Sequence, residues 1–465
     1  MCTFVCFICV FMATYEYKGR WWLPGKEEDK VSGVLSYTPG ESIELELIGN
    51  FTDTDKNAIN NLFVEERVPV IYGQASDGSD ISLFDCGNSI HRVFKADFSI
   101  AKYFPRYIAI GMLLPSINEK KFFKAKIKIP ELSYWLYPKA IERVFLTDND
   151  RISGVNVRMD NLPEEKRIAA KTRLGNGVSF SLTCEANYNG GDLMFTASFE
   201  QFTALVIESN KKMSFRALYE KTVHFERFLS LATLRDVSSS EILLFSKESF
   251  KEIGGRPHYS PIRIDTVFHD SPNQKKISVP DFLFNYDSIN EKYNDIIRKW
   301  FSRDSKFDAI RGHMLESIDY KGHFSYINFL VVIQAIEGYG LRYRKTDVKN
   351  VAKARIAKAQ KEGKPIGSKD ITLADILSTL INDYRDVTCV YKRMNKAAII
   401  DTRHYYSHLT EKKKKHKVDG VKLFDLTFHL RKLLLCCVLS YLGFTNAEIE
   451  QYTRDCNSAI IRGYK

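Results

Sequence analysis

The hydrophobic period of this chain changes once, and that change limits its possible folds more than any single motif. Up to about residue 289, apolar and polar residues alternate in short runs broken by Gly, Asn, Asp and Pro. From Asn290 onward the apolar residues recur at three- and four-residue spacing. Period two builds half-buried strands, and period 3.6 builds amphipathic helices. A chain of 465 residues also exceeds what one hydrophobic core normally serves. The expectation is an α+β multidomain protein, with a β-rich domain over 12–289 followed by an all-α domain over 290–465.

In the first part, Val34–Tyr37 and Ile43–Ile48 flank Pro39-Gly40 and read as a hairpin. Further strands are expected at Val68–Tyr72, Ile81–Phe84, Arg92–Phe98, Tyr107–Leu113, Lys124–Ile129, Val178–Cys184 and Leu193–Phe199. So many short strands at close spacing suggest a sandwich or a barrel. One interruption, 214–234, carries Phe215, Leu218, Phe225, Phe228 and Leu229 at helical spacing and reads as an amphipathic helix. Trp21-Trp22 before Pro24-Gly25 is either an exposed ligand platform or a core anchor beside a rim residue.

In the second part, helices are expected over Asn290–Phe301, Ser305–Ile318 and Phe324–Ile336, the last apolar nearly all round and therefore central. Glu337 is placed at the end of that helix beside Gly338, where a structural role is expected and a catalytic acid is the alternative. The segment 342–370 holds ten basic residues against three acidic ones, and its apolar residues are mostly Ala. It reads as an exposed helix or flexible insertion, either contacting phosphate or simply solvated. Then come a helix over Asp370–Tyr384 capped by Ser368 or Asp370, one from about Thr388 to Leu409 that is either continuous or broken near Asp401-Thr402, and one over Val421–Leu442 stopped by Gly443. Asn446–Ile461 is a last short helix.

Charge follows the same division. Residues 290–465 hold 33 Lys/Arg against 20 Asp/Glu, a net +13, so the other 289 residues contribute −2 to the total of +11. A basic half joined to a near-neutral half points to a polyanion partner for the basic half, or to a solvated basic surface. The nine cysteines form no paired CxxC and no Cys/His zinc spacing. Free buried thiols in a cytoplasmic protein are expected. Residues 1–11 are apolar but about half a membrane span, and they contain no basic n-region and no small-residue cleavage site. They are expected to precede the true start at Met12 or to be disordered, a short anchor being the alternative; no membrane association is expected.

The chemistry concentrates in Arg403-His404-Tyr405-Tyr406-Ser407-His408, which contains the only Arg-x4-His among ten histidine positions. On a helix, His404 and His408 stack at i and i+4, and the long Arg403 side chain can lean over the same patch. RNA cleavage without a metal needs a base for the 2′-OH, an acid for the leaving 5′-oxygen and a cation for the phosphorane-like charge. Imidazole and guanidinium supply those parts. Lys412, Lys413, Lys414 and Lys415, with His416, are positioned to hold RNA backbone. Lys353, Arg355 and Lys358 in the basic segment are candidates for the same role. Neither an acidic cluster nor a Gly-rich phosphate loop lies nearby, so neither a metal nor another cofactor is expected. Alternatively the motif packs a helix end, with Arg403 paired to Asp401 or Glu411.

The motif resembles the Arg-[Asn/Asp/His]-x3-His form of the HEPN ribonucleases. The opening Tyr15–Gly25, with Val31–Leu35 and Ile43–Gly49, resembles the N-terminal domain of the ApeA family of bacterial anti-phage proteins, and Phe225–Thr233 and Phe329–Glu337 resemble other segments of that family. The resemblance spans nearly everything after Met12 and keeps the domain order. It implies an HEPN helical bundle that cuts RNA to halt the infected cell, held in check by the N-terminal domain until a phage-derived trigger arrives. It implies Arg403 and His408 as catalytic residues and His404 as the intervening polar one. A homodimer with two motifs facing each other follows from the same family. Two rivals stand beside this reading: a non-catalytic module that binds RNA or nucleotide or only dimerises, and a carbohydrate or peptide reader built on Trp21-Trp22.

Overall fold

The computed structural model describes residues 14–462 apart from 39–40, 52–66, 92–99, 138–140, 149–150, 160–166, 190–197, 268–276, 303, 320–324, 366–369, 388–393 and 409–414. The expected strands at Arg92–Phe98 and over most of Leu193–Phe199, the turn Pro39-Gly40, and residues 1–11 fall outside the described residues. The chain divides into two compact units. One takes in residues 1–133, 137–226 and 238–276; the other takes in 134–136, 227–237 and 277–465.

The first unit is β-rich. Strands β1 (Tyr15–Trp22), β2 (Val31–Thr38), β3 (Ser42–Ile48), β4 (Val68–Ala75), β5 (Asp80–His91) and β6 (Ile100–Phe104) pair antiparallel in the ring order β4-β1-β2-β3-β6-β5, and β5 closes onto β4. The result is a six-stranded barrel. The β2–β3 hairpin forms as expected, with Thr38 opposite Ser42. Alternate residues point inward: Trp21, Leu35, Leu45, Leu47, Ile71, Ile81 and Leu83 fill the interior. Both tryptophans are buried, Trp21 fully and Trp22 to 4% exposure, so the exposed ligand platform does not form. The Trp21 ring lies where a side chain on Gly73 would start, 2.2 Å from an ideal Cβ. Glycine at that β4 position is what admits the indole.

On its edge away from β4, strand β5 serves two partners. Its first half pairs with β7 (Tyr107–Ile110) and its second with β6. Between the halves Asp85 adopts φ 53°, a left-handed conformation that aspartate tolerates better than most residues. Its carboxylate is held by Arg67 and Arg106 at 3.2 and 2.9 Å. Through β7 the barrel continues into an antiparallel sheet of β15 (Arg256–Thr266), β14 (Glu241–Ile253), β8 (Lys120–Lys128), β13 (Ser198–Ser214), β12 (Val178–Asn189) and β11 (Ile168–Arg173). The strands β9 (Ile141–Asp148) and β10 (Arg151–Met159) form a separate hairpin. The described helices α1 (Pro130–Leu136) and the expected α2 (Phe215–Thr233) interrupt the strands, and Phe225 of α2 packs against Phe180 of β12.

The second unit is helical: α3 (Tyr293–Trp300), α4 (Ser305–Asp319), α5 (Tyr326–Tyr343), α6 (Lys345–Lys361), α7 (Leu373–Asp383), α8 (Lys396–His408), α9 (Gly420–Leu442), α10 (Asn446–Asp455) and α11 (Ala459–Arg462). The central member is α5, which packs against α4, α6, α7, α8 and α9. Phe329, Val332, Ile333, Ile336 and Tyr339 supply its buried surface. Gly340 admits Ile376 of α7, whose Cγ2 lies 2.5 Å from where a Cβ would sit. α9 ends at Gly443 with φ 102°, the left-handed stop expected there.

Several boundaries differ from the sequence reading. α5 runs to Tyr343, so Glu337 lies in its interior and not at its end. The cap of α7 is Thr372, in a reciprocal capping box with Asp375, and not Ser368 or Asp370. The basic segment is largely the regular helix α6, with Val348 and Ala352 buried. The last helix is two, α10 and α11. Cys86, Cys184, Cys436, Cys437 and Cys456 are free thiols. Among the described residues no helix is long and apolar enough to cross a membrane.

Candidate active site

The motif lies on the last turns of α8. Asn395 starts the helix, its side chain accepting the Ala398 amide at 3.1 Å. Ala398, Ile399 and Thr402 form the buried stripe. The helix is continuous through Asp401-Thr402, so the break given as an alternative does not occur. Such side chains disrupt helices by competing for local backbone, and here both are used elsewhere. The Asp401 carboxylate accepts the His416 amide at 3.0 Å, and the fully buried Thr402 hydroxyl accepts the Val418 amide at 3.1 Å. The segment after the lysine run is thereby pinned back onto the motif helix.

His404 and His408 stack as their spacing requires, with ring centroids 4.8 Å apart. His408 is exposed and His404 half-buried. Arg403 points elsewhere: its Nη2 lies 3.4 Å from Oε2 of Glu337 on α5. The partner observed is not Asp401, and Glu411 lies outside the described residues. Residues five apart on a helix differ by about 140° in direction. One copy of α8 therefore presents Arg403 and His408 on different sides. The structure brings the two histidines together, and brings Arg403 to Glu337.

Aromatic rings wall the site. Tyr406 stacks on Tyr326 at the start of α5, with centroids 5.3 Å apart and planes within 9°. Lys417 was not singled out by sequence. Its side chain is only 7% exposed, and its ammonium lies 4.8 Å from the centre of the Tyr405 ring and 5.4 Å from that of Tyr406. The Asp419 carboxylate, 2.5 Å away, pushes the Lys417 pKa up and keeps it charged. No period marks Lys417; only the return of the loop to Asp401 and Thr402 brings it in.

The remaining candidates separate. Lys415 is exposed in the returning segment, and Lys412, Lys413 and Lys414 lie outside the described residues. Lys353 is exposed on α6. Lys358 is exposed and lies 3.8 Å from Glu362. Arg355 is engaged within the fold, its guanidinium forking onto the buried Asp375 at 2.9 and 3.1 Å and donating to the Asp370 carbonyl. Among the described residues, no three His, Cys, Asp or Glu side chains are grouped to share a metal ion.

Comparison with protein families places these features. ApeA N-terminal domain 1 matches residues 16–300, and Apea-like HEPN matches residues 330–448. The chain belongs to the ApeA family. No curated protein and no solved structure matches it. The HEPN match runs from within α5 into α10, and so contains Glu337, α6 and the whole motif. The barrel and its sheet lie within the N-terminal match. HEPN domains are generally ribonucleases, which makes the Arg403–His408 end of α8 the first place to look for chemistry.

Proposed function

We propose that this protein is a metal-independent endoribonuclease of anti-phage defence, whose active site forms where two copies of α8 meet. The observation that carries the reading is the end of α8 itself: two adjoining imidazoles and an arginine steered by a carboxylate. Two copies face to face would bring two Arg403 and two His408 to one phosphate, which a single helix does not do. The exposed Tyr326 and Ile327, at 50% and 60%, supply apolar surface beside the motif for that pairing.

In the reaction, one His408 takes the proton of the ribose 2′-OH. The 2′-oxygen attacks phosphorus, the bond from phosphorus to the 5′-oxygen breaks, and the other His408 protonates that oxygen. The products are a 2′,3′-cyclic phosphate and a 5′-hydroxyl. Arg403 stabilises the charge on the non-bridging oxygens, and His404 orients His408 through their ring contact. In the cell this cleavage halts growth of the infected host, and the N-terminal domain restrains it until infection.

A second reading is favoured by the Arg403–Glu337 pair alone: a module that binds RNA without cutting it, with Arg403 as a structural ion pair. Labelled RNA incubated with purified protein separates the two. New ends that disappear in a folded Arg403→Ala variant support the nuclease; retention of intact RNA supports the binder.

A further inference from the structure

A second basic site lies on the helical unit, at the C-terminal end of α5. Asp304, Ser305, Lys306, Leu341, Arg342, Tyr343 and Lys345 line a surface pocket of about 610 Å³, at the start of α4 and the junction of α5 with α6. Its one acid is already satisfied. The Asp304 carboxylate accepts the hydroxyls of Tyr343 and Tyr441 at 2.6 and 3.2 Å and the amide of Lys306 at 3.1 Å. Those donors hold its pKa below the usual carboxylate range, the Tyr343 hydroxyl first among them. Three cations remain. Arg342 is oriented by a 2.9 Å hydrogen bond to the Lys306 carbonyl. No ion pair among the described residues engages Lys306 or Lys345.

The positive charge continues out of the pocket. Lys345 opens α6, and Lys349 and Lys353 follow at i+4 and i+8. Each step rises about 6 Å and turns about 40°, so the three line one flank of the helix, beside the buried edge of Val348 and Ala352. All three are exposed. The neighbouring arginines are engaged otherwise: Arg344 on Asp347 and Asp383, Arg355 on Asp375.

We propose that this pocket and flank form a docking track for the phosphate backbone of single-stranded RNA, one phosphate seated among Lys306, Arg342 and Lys345 and the next ones on Lys349 and Lys353. A row of evenly spaced cations matches a repeating anion better than a lone one. The pocket is large for a bare phosphate, and Leu341 and Tyr343 give it walls against which a sugar or base can lie. The assignment of RNA rests on the nuclease reading above, but the track does not take part in the chemistry.

The test is fluorescence anisotropy of full-length protein with a labelled 2′-O-methyl oligouridine, which binds without being cut. K345Q/K349Q/K353Q is expected to weaken binding about tenfold or more and to reduce the slope of log affinity against log salt by about 2, at roughly 0.7 per phosphate contact on single strands. K364Q is the control, Lys364 being paired to Glu362 beyond the end of α6; it should bind as wild type. Unchanged affinity and slope in the triple variant overturn the track, as does an equal loss in K364Q. Displacement of the probe by polyglutamate as readily as by unlabelled oligouridine overturns RNA as the ligand. Wild-type protein that holds the probe through these lysines but never cuts ribose RNA refutes the nuclease and leaves the track standing.

Discussion

Replacing Glu337 separates a positioning role from a packing role. The pair with Arg403 spans 3.4 Å, with side chains 21% and 34% exposed. At the effective dielectric of a protein surface the attraction is about 5 kcal/mol, but desolvation and side-chain entropy leave about 1 kcal/mol net. Glu337→Ala should therefore lower stability by no more than about 1 kcal/mol. Its effect on RNA cleavage should be far larger. A guanidinium that loses its anchor samples other rotamers, and misplacement of a charge-stabilising group by about 1 Å costs up to ~100-fold. We expect kcat to fall between about 10- and 100-fold with KM nearly unchanged, and Glu337→Gln to retain part of the activity. Thermal unfolding and steady-state cleavage of a fluorogenic RNA measure both quantities on one preparation. A variant that loses several kcal/mol of stability while cutting at the wild-type rate would show that Glu337 only packs.

Three further outcomes follow from the fold. Arg355→Ala strands the buried Asp375 carboxylate and should cost about 2–3 kcal/mol, read by chemical denaturation. Burial alone raises the Asp375 pKa, but hydrogen bonds from Arg355 and Thr372 outweigh it and hold it below the ordinary carboxylate range. A depressed carboxyl contributes its stability above the unfolded pKa of about 4 and loses it as pH falls further, so the gap between wild type and Arg355→Ala should close on acidification below that point. Gly73→Ala drives a methyl into the Trp21 ring and should destabilise the barrel by about 1–3 kcal/mol, with a change in tryptophan fluorescence. Lys417→Met keeps the stem over Tyr405 and Tyr406 but removes the charge; cleavage should fall while the unfolding midpoint moves little.

Legibility in the sequence followed the range of the forces involved. The β2–β3 hairpin and α9 were readable because alternation and a terminal glycine are local signals. Strand β15 was not, since Pro257 and Pro261 argue against a strand, yet both pair across to β14. Closure of the barrel depends on β5 meeting β6 and β4 meeting β1, pairings that no local period encodes. At the candidate site, helical spacing placed His404 against His408. It said nothing of Glu337, 66 residues away, because a period tells which face turns inward and not what it meets. Arg355 was misleading for the same reason: basic composition marks a residue as cationic, while its partner Asp375 comes from another helix.

Cleavage of RNA by purified protein, read by sequencing the new ends, tests the central claim most directly. Wild-type protein should produce 5′-hydroxyl ends in the presence of EDTA, and folded His408→Ala should produce none. Cleavage at the wild-type rate by His408→Ala, or loss of wild-type cleavage on adding EDTA, would contradict it.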